Sequence, residues 1–197
     1  MTEIHITRLN PVGYRRTPWK NGGGVTTDIA EAYREGVMPG AWEGMVWRFG
    51  RTAITRPGPF SDLSGYDRVQ VVVAGRGLVL VAPDHEIDVR RPFVPVRFAG
   101  ETPVVSRLEA GAVEVVNLIG DRSTVAIDMR LLEAGQAGQA LHLAAGTHIA
   151  YCPTGAAALD CRGMRYELAQ DHALRIEFGD EATISGVSGR LLVASVT

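Results

Sequence analysis

The sequence predicts an all-β protein made of two antiparallel β-units packed as one body, and three observations lead there. Helical periodicity is nearly absent. Short Val/Ile/Leu-rich runs follow one another closely, punctuated by Gly, Pro and Asp, the pattern of an antiparallel sandwich or barrel. One ungapped offset links the two halves: Gly75 and Gly155 lie 80 positions apart, and so do Phe98 and Phe178.

Taken in order, residues 25–29 are a β-branched run that reads as a strand, and a helical turn is expected over residues 30–34. Residues 69–73 form the strongest strand. It breaks at Gly75-Arg76-Gly77 and resumes over 78–81. Pro83-Asp84-His85 reads as a turn before Ile87-Asp88-Val89. Val94, Val96 and Phe98 then alternate with Pro95 and Arg97, the period of a half-buried strand. Further strands are expected over 104–108, 113–118, 125–132, 148–152, 156–160, 174–178 and 191–196. The same offset pairs Val69 with Ile149, Leu78 with Ala158, Val94 with Leu174 and Val96 with Ile176, which points to duplication of a β-unit. Residues 1–122 are expected to form the first unit and 123–197 the second, with 133–139 a flexible connection inside the latter.

Bulk properties narrow the function. Hydrophobic residues make up 46% of the 197 and charged residues 21%, with a net charge of −2. No basic stripe recommends nucleic acid. The first residues lack a basic segment leading into an apolar run, and no apolar stretch is long enough to span a bilayer, so no membrane association and a cytoplasmic location are expected. Cys152 and Cys161 form no CxxC pair and read as free thiols, although a disulfide between them is an alternative.

Several sites are argued against. The five histidines contain no HxH or HxxxH, so no metal is expected; His142 and His148 are the one pair that a turn could bring together. Gly22-Gly23-Gly24 leads into a strand rather than a helix, and neither GxxxxGK[ST] nor GxGxxG occurs. With no GxSxG, nothing announces a covalent nucleophile. No cofactor is expected.

One constellation remains. Lys20 is the only lysine among twenty cationic residues, and it sits in Pro18-Trp19-Lys20-Asn21-Gly22-Gly23-Gly24. Lysine is a compact point charge on a flexible stem, whereas arginine is a planar fork. Trp47-Arg48 ends an apolar run, and Gly58-Pro59-Phe60-Ser61 leads to Arg68 at the threshold of the strongest strand, where barrel mouths hold polar groups. Arg48 and Arg68 read equally as ligand-binding or as salt-bridged to Asp67, Asp62 or Glu43. Phe60 reads as core or as a stacking partner. Asn117 is an amide inside an apolar strand and needs partners if buried. Together Trp19, Lys20, Asn21, Gly22, Arg48, Phe60, Ser61, Arg68 and Asn117 would form a cationic, hydrogen-bonding pocket suited to a small carboxylate. No acidic residue stands out as a general base, which favours binding over catalysis.

These segments resemble the HutD/Ves family of cupin-like proteins. The residues that carry the resemblance are Pro18 to Gly24 with the following Thr/Asp-Ile-Ala, Trp47-Arg48 with Ala53, Gly58-Pro59-Phe60-Ser61 with Gly65 and Arg68, Gly75-Arg76-Gly77, and Asn117-Leu118. The resemblance implies a double cupin-like (RmlC-type) antiparallel β-barrel or jelly roll without the usual cupin metal ligands. It also implies an accessory or regulatory protein of histidine utilisation that binds an intermediate such as formylglutamate. Two positions depart from the family pattern: Val115 stands where an acidic residue is common, and Leu63-Ser64-Gly65-Tyr66-Asp67 replaces a segment ending in Pro-Gly. Glu114 is one residue away but points to the opposite strand face.

The expected function is therefore non-catalytic binding of a small carboxylate, with a homodimer left open. The alternatives are a metal-independent isomerase, hydrolase or lyase acting on a small acid or sugar derivative, and a protein-interaction module.

Overall fold

A computed structural model describes residues 4–19, 24–134 and 140–197. Strands dominate it. They are β1 (Ile4–Leu9), then a 3₁₀ turn (Pro11–Gly13), β2 (Arg15–Pro18), β3 (Val25–Tyr33), β4 (Met45–Ile54), β5 (Gly58–Pro59), β6 (Tyr66–Ala74), β7 (Leu78–Val81), β8 (Glu86–Val89), β9 (Val96–Ala99), β10 (Val105–Leu108) and β11 (Val113–Asp121). There follow β12 (Ile127–Glu133), β13 (Ala140–Leu143), β14 (Gly146–Tyr151), β15 (Ala156–Cys161), β16 (Met164–Ala169), β17 (Ala173–Phe178), β18 (Ala182–Ser188) and β19 (Arg190–Val196). The expected all-β architecture is thus present.

The chain divides into residues 14–127 and residues 128–197, the latter completed by residues 1–13. The sequence placed the division at 122/123; in the structure it falls at 127/128, and β1 joins the second unit because it pairs with β17 from Ile4↔Phe178 to Leu9↔Ala173. Each unit holds two antiparallel sheets. In the first, a six-stranded sheet β2-β3-β4-β11-β6-β9 accompanies a four-stranded one, β5-β10-β7-β8. Ile54, Val72, Leu78, Leu80, Val89, Val113 and Val115 from both sheets form its core. In the second, β1-β17-β14-β19-β12 accompanies β13-β18-β15-β16, around Leu159, Leu174, Ile176, Ile184 and Val193. Both cysteines are free thiols buried in or beside that core.

The 80-residue offset corresponds to a repeated topology. The strand order β4-β11-β6-β9 returns as β12-β19-β14-β17, and β5-β10-β7-β8 returns as β13-β18-β15-β16. Gly75 and Gly155 both have positive φ, 75° and 66°, at equivalent turns. Gly75 admits no side chain, since a Cβ there would lie 2.5 Å from the Ala112 carbonyl oxygen.

One expectation is corrected. Residues 30–33 continue β3 rather than forming a helical turn, because they pair with Phe49, Arg48, Trp47 and Met45 of β4. Irregularities between Asp28 and Ala30 and between Ala32 and Tyr33 interrupt the two-residue alternation, so the strand period is blurred there. Residues 135–139 of the expected connection lie outside the described residues.

Among these elements His148 is a built-in test of the second core. Its Nδ1 meets Ser195 Oγ at 2.9 Å and its Nε2 meets the Ala144 carbonyl oxygen at 3.0 Å. Burial holds its pKa below the ordinary histidine value, the Ala144 bond opposes this, and Arg130 adds to the depression. The neutral ring is the folded form, whereas the unfolded chain takes up a proton below about pH 6.5. Stability is therefore lost as pH falls from about 7 towards 5. Thermal melts across that range are expected to show a steeper decline in the wild type than in His148→Gln.

Candidate functional site

The first unit contains a cleft, part of it open to solvent, lined by residues of β3, β4, β6 and β11 and by the segments around Trp19, Trp42 and Phe60. Register explains why these side chains meet. Ile119 of β11 lies opposite Arg48 on one side and Arg68 on the other, so the two arginines occupy one row of one sheet face. The next row inward places Gly50, Asn117 and Gln70 side by side, and the next Thr52, Val115 and Val72. β-strand alternation delivers all of them to the interior face.

Arg48 is almost wholly buried and has a counter-charge. Its Nε lies 3.0 Å from Asp28 Oδ1, an ionic contact in which the N–H is not aligned on the oxygen. Thr17 donates its hydroxyl to Asp28 Oδ2, and the guanidinium lies 4.4 Å from the Trp42 ring centroid. Burial pushes the Asp28 carboxyl above the usual carboxylate range, while Arg48 and the Thr17 hydroxyl pull it back.

Arg68 is different. It is 7% exposed, and its Nε has no hydrogen-bond partner among the described residues. Its guanidinium packs 4.9 Å from the Phe60 ring centroid and 5.0 Å from that of Phe98, the residue directly opposite it on β9. Burial, reinforced by the like charge of Arg48, pushes its pKa down to about 10. A guanidinium in that condition is still a cation at neutral pH. Asp28, Arg48 and Arg68 together leave one net positive charge in the interior, which a ligand carboxylate can balance.

Among the described residues, Asp67 does not serve these arginines. Asp67 points to the other face and takes Arg122 at 2.7 Å and Arg97 at 3.5 Å. Arg48 instead uses Asp28, twenty positions away in sequence. Trp19, Arg48, Phe60, Ser61, Arg68 and Asn117 line the cleft, whereas Lys20, Asn21 and Gly22 lie outside the described residues. Val115 presents an apolar wall there, and Glu114 pairs with Arg51 on the outer face. Thr26, Trp42, Thr52 and Asp28 were not singled out from sequence. Trp19 is tied in by Nε1 donating to Thr26 Oγ1 at 3.1 Å, and by its backbone N–H donating to the Gly24 carbonyl at 2.9 Å. The glycine at 24 is required here, because a Cβ would come within 2.8 Å of the Trp19 ring.

Chemically the cleft offers guanidinium, hydroxyl and amide groups. No carboxylate, imidazole or thiol lines it among the described residues, and no group of three His, Cys, Asp or Glu placed to hold a metal ion exists among them. No helix is long and apolar enough to cross a membrane.

A family model described as HutD matches residues 12–192. An uncharacterized 21.2 kDa protein in the hutC 3′ region of Pseudomonas putida is 34% identical over 119 residues, covering 60% of this chain and 59% of that protein; the match thus spans about three fifths of the relative's length. Among solved structures, a conserved protein of unknown function from Pseudomonas aeruginosa PAO1 is 26% identical with a TM-score of 0.80, covering 98% of this chain and 97% of that one. HutD from Pseudomonas fluorescens SBW25 is 26% identical with a TM-score of 0.78, covering 98% of each chain.

The two arginines should respond oppositely to neutralisation. Arg68→Met removes a buried charge that lacks a counter-ion among the described residues and is expected to stabilise the ligand-free protein by about 1–3 kcal/mol in urea unfolding. Asp28→Asn strands Arg48 and is expected to destabilise it by about 3 kcal/mol. A comparable loss of stability in Arg68→Met would reveal an anionic partner within the protein.

Proposed function

The chain belongs to the HutD family, and from that premise we propose that its first unit is a non-catalytic binding site for a small carboxylate of histidine utilisation, formylglutamate being the leading candidate. The observation that carries this reading is Arg68, a buried cation without a counter-charge among the described residues, facing a cleft. Burying an isolated charge is unfavourable, and a bound carboxylate offsets that penalty with a bidentate, charge-assisted pair. Phe60 and Phe98 hold the guanidinium plane in place through cation–π contact, so little side-chain freedom is lost on binding. The histidine-utilisation assignment is supported by the family match and by the hutC neighbourhood of the Pseudomonas putida relative. A binding rather than catalytic role is supported by the composition of the lining, which among the described residues offers donors for an anion and no carboxylate, imidazole or thiol. An accessory or regulatory role in that pathway follows for a protein that senses an intermediate without consuming it.

Isothermal titration with formylglutamate, urocanate and glutamate tests the reading at protein concentrations able to detect micromolar affinity. At least one is expected to bind, and Arg68→Met should weaken that binding at least tenfold, about 1.4 kcal/mol or more. Lys20→Ala should weaken binding with thermal stability unchanged; a failure to fold would make Lys20 structural instead. Absence of heat from all three ligands would discard this ligand class.

A further inference from the structure

A carboxylate stands behind the cleft wall, one glycine away from the space a ligand fills. Asp28 does not itself line the cleft; Gly50, its register partner on β4, does. A Cβ on Gly50 would lie 3.3 Å from Asp28 Oδ1 and 2.6 Å from the Thr26 methyl, so the missing side chain lets the carboxylate sit close to the cleft floor. Asp28 is buried, and it meets the cleft through Arg48, which lines that space and whose Nε lies 3.0 Å from Oδ1. That contact is ionic rather than an aligned hydrogen bond, so an entering anion competes for the guanidinium on favourable terms.

A strand irregularity builds this arrangement. In an unbroken strand, positions 28 and 31 face opposite ways. The irregularity between Asp28 and Ala30 turns both carboxylates to one side, where Arg15 Nε lies 3.9 Å from Asp28 Oδ2 and Arg15 Nη2 pairs with Glu31. Glu31 is the register partner of Arg48, yet it is engaged by Arg15 and by the Tyr33 hydroxyl, which donates to it at 2.8 Å. Arg48 takes Asp28 in its place. The polar and charged groups around Asp28 are thus Arg15 and Thr17 of β2, Glu31 of β3 and Arg48 of β4. Burial and Glu31 favour the protonated carboxyl, and Arg48, Thr17 and Arg15 the ionised one; burial prevails, so Asp28 takes up a proton above the usual carboxylate range.

We infer that Asp28 is an internal competitor for the ligand at Arg48, so that binding of an anion in the cleft is coupled to uptake of a proton from solvent onto Asp28. The inference rests on the carboxylate-binding reading of the cleft and adds its regulation. Asp28 and a ligand carboxylate are like charges sharing one guanidinium, an arrangement that drives one of them towards its neutral form. Asp28 therefore holds its proton more tightly in the complex than in the free protein, and by linkage affinity rises as pH falls.

Isothermal titration with formylglutamate, whose carboxyls stay ionised above about pH 5.5, tests this. Wild type should bind about threefold or more tighter at pH 5.5 than at pH 7.5. At a single pH, its heat should vary with the ionisation enthalpy of the buffer in the sense of proton uptake. Asp28→Asn fixes the neutral form. It should bind at pH 7.5 at least as tightly as wild type does at pH 5.5, with affinity flat across the range and heat independent of buffer. Thr17→Val removes a donor to the ionised carboxyl and should move the pH profile upward. A flat wild-type profile with buffer-independent heat refutes the coupling while carboxylate binding stands. The same holds if Asp28→Asn keeps the slope, or binds more weakly than wild type at pH 7.5, as a purely structural ion-pair partner would. If formylglutamate binds at no pH, the ligand named for the cleft falls and this inference with it. Should Asp28→Asn not fold, the wild-type buffer dependence and the Thr17→Val shift decide.

Discussion

A cation kept from water against two phenyl rings governs the first unit. Arg68 tolerates this position because a guanidinium is planar, delocalised and more weakly hydrated than an ammonium, and because Phe60 and Phe98 offer π-faces in place of solvent. The neighbouring arginine shows the ordinary solution. Arg48 has Asp28, and Asp28 has Thr17, so one charge is neutralised and held by a chain of contacts that runs from β2 through β3 to β4. Among the described residues, the contrast between an arginine with a carboxylate beside it and one without leaves Asp28, Arg48 and Arg68 with one net positive charge.

Duplication separates scaffold from site. Both units repeat one strand order and fill their cores with Val, Leu and Ile at matching depths. The second unit satisfies its one buried histidine internally, whereas on the equivalent face of the first the Gln70 amide, Asn117 Oδ1 and Arg68 Nε have no partner among the described residues. One strand order is thus built twice, with the polar groups of this face partnered in the second unit and partly unpartnered among the described residues of the first. The repeat thus shows what packing alone demands, without reference to any relative.

Much of this architecture was legible in the chain. The run 78–81 announced a strand because apolar residues sit between Gly77 and Pro83, and 174–178 because apolar and charged residues alternate. The offset was visible because Gly75 and Gly155 both serve turns needing positive φ. Arg48, Arg68, Phe60 and Asn117 stood out as polar or aromatic residues beside apolar runs, and they share the cleft. Asp28 was missed because it sits in a β-branched run, and its pairing with Arg48 depends on a register across β3 and β4 that no local pattern encodes. Asp67 looked like a partner for Arg68 because it is adjacent, yet adjacency on a strand places the two on opposite faces. Gln70, inside the strand expected over 69–73, was not singled out; its complete burial depends on β6 lying between β11 and β9, which no local pattern encodes.

Nitrogen-resolved NMR of the arginine Nε–H groups bears most directly on the claim that Arg68 awaits an anion. In the free protein its Nε–H should lack a hydrogen-bond signature. Saturating formylglutamate should shift that resonance and slow its exchange with water, leaving exposed arginines such as Arg90 and Arg107 unchanged. An Arg68 signal that is already hydrogen-bonded in the free protein, or that stays fixed while ligand binds elsewhere, would contradict the account.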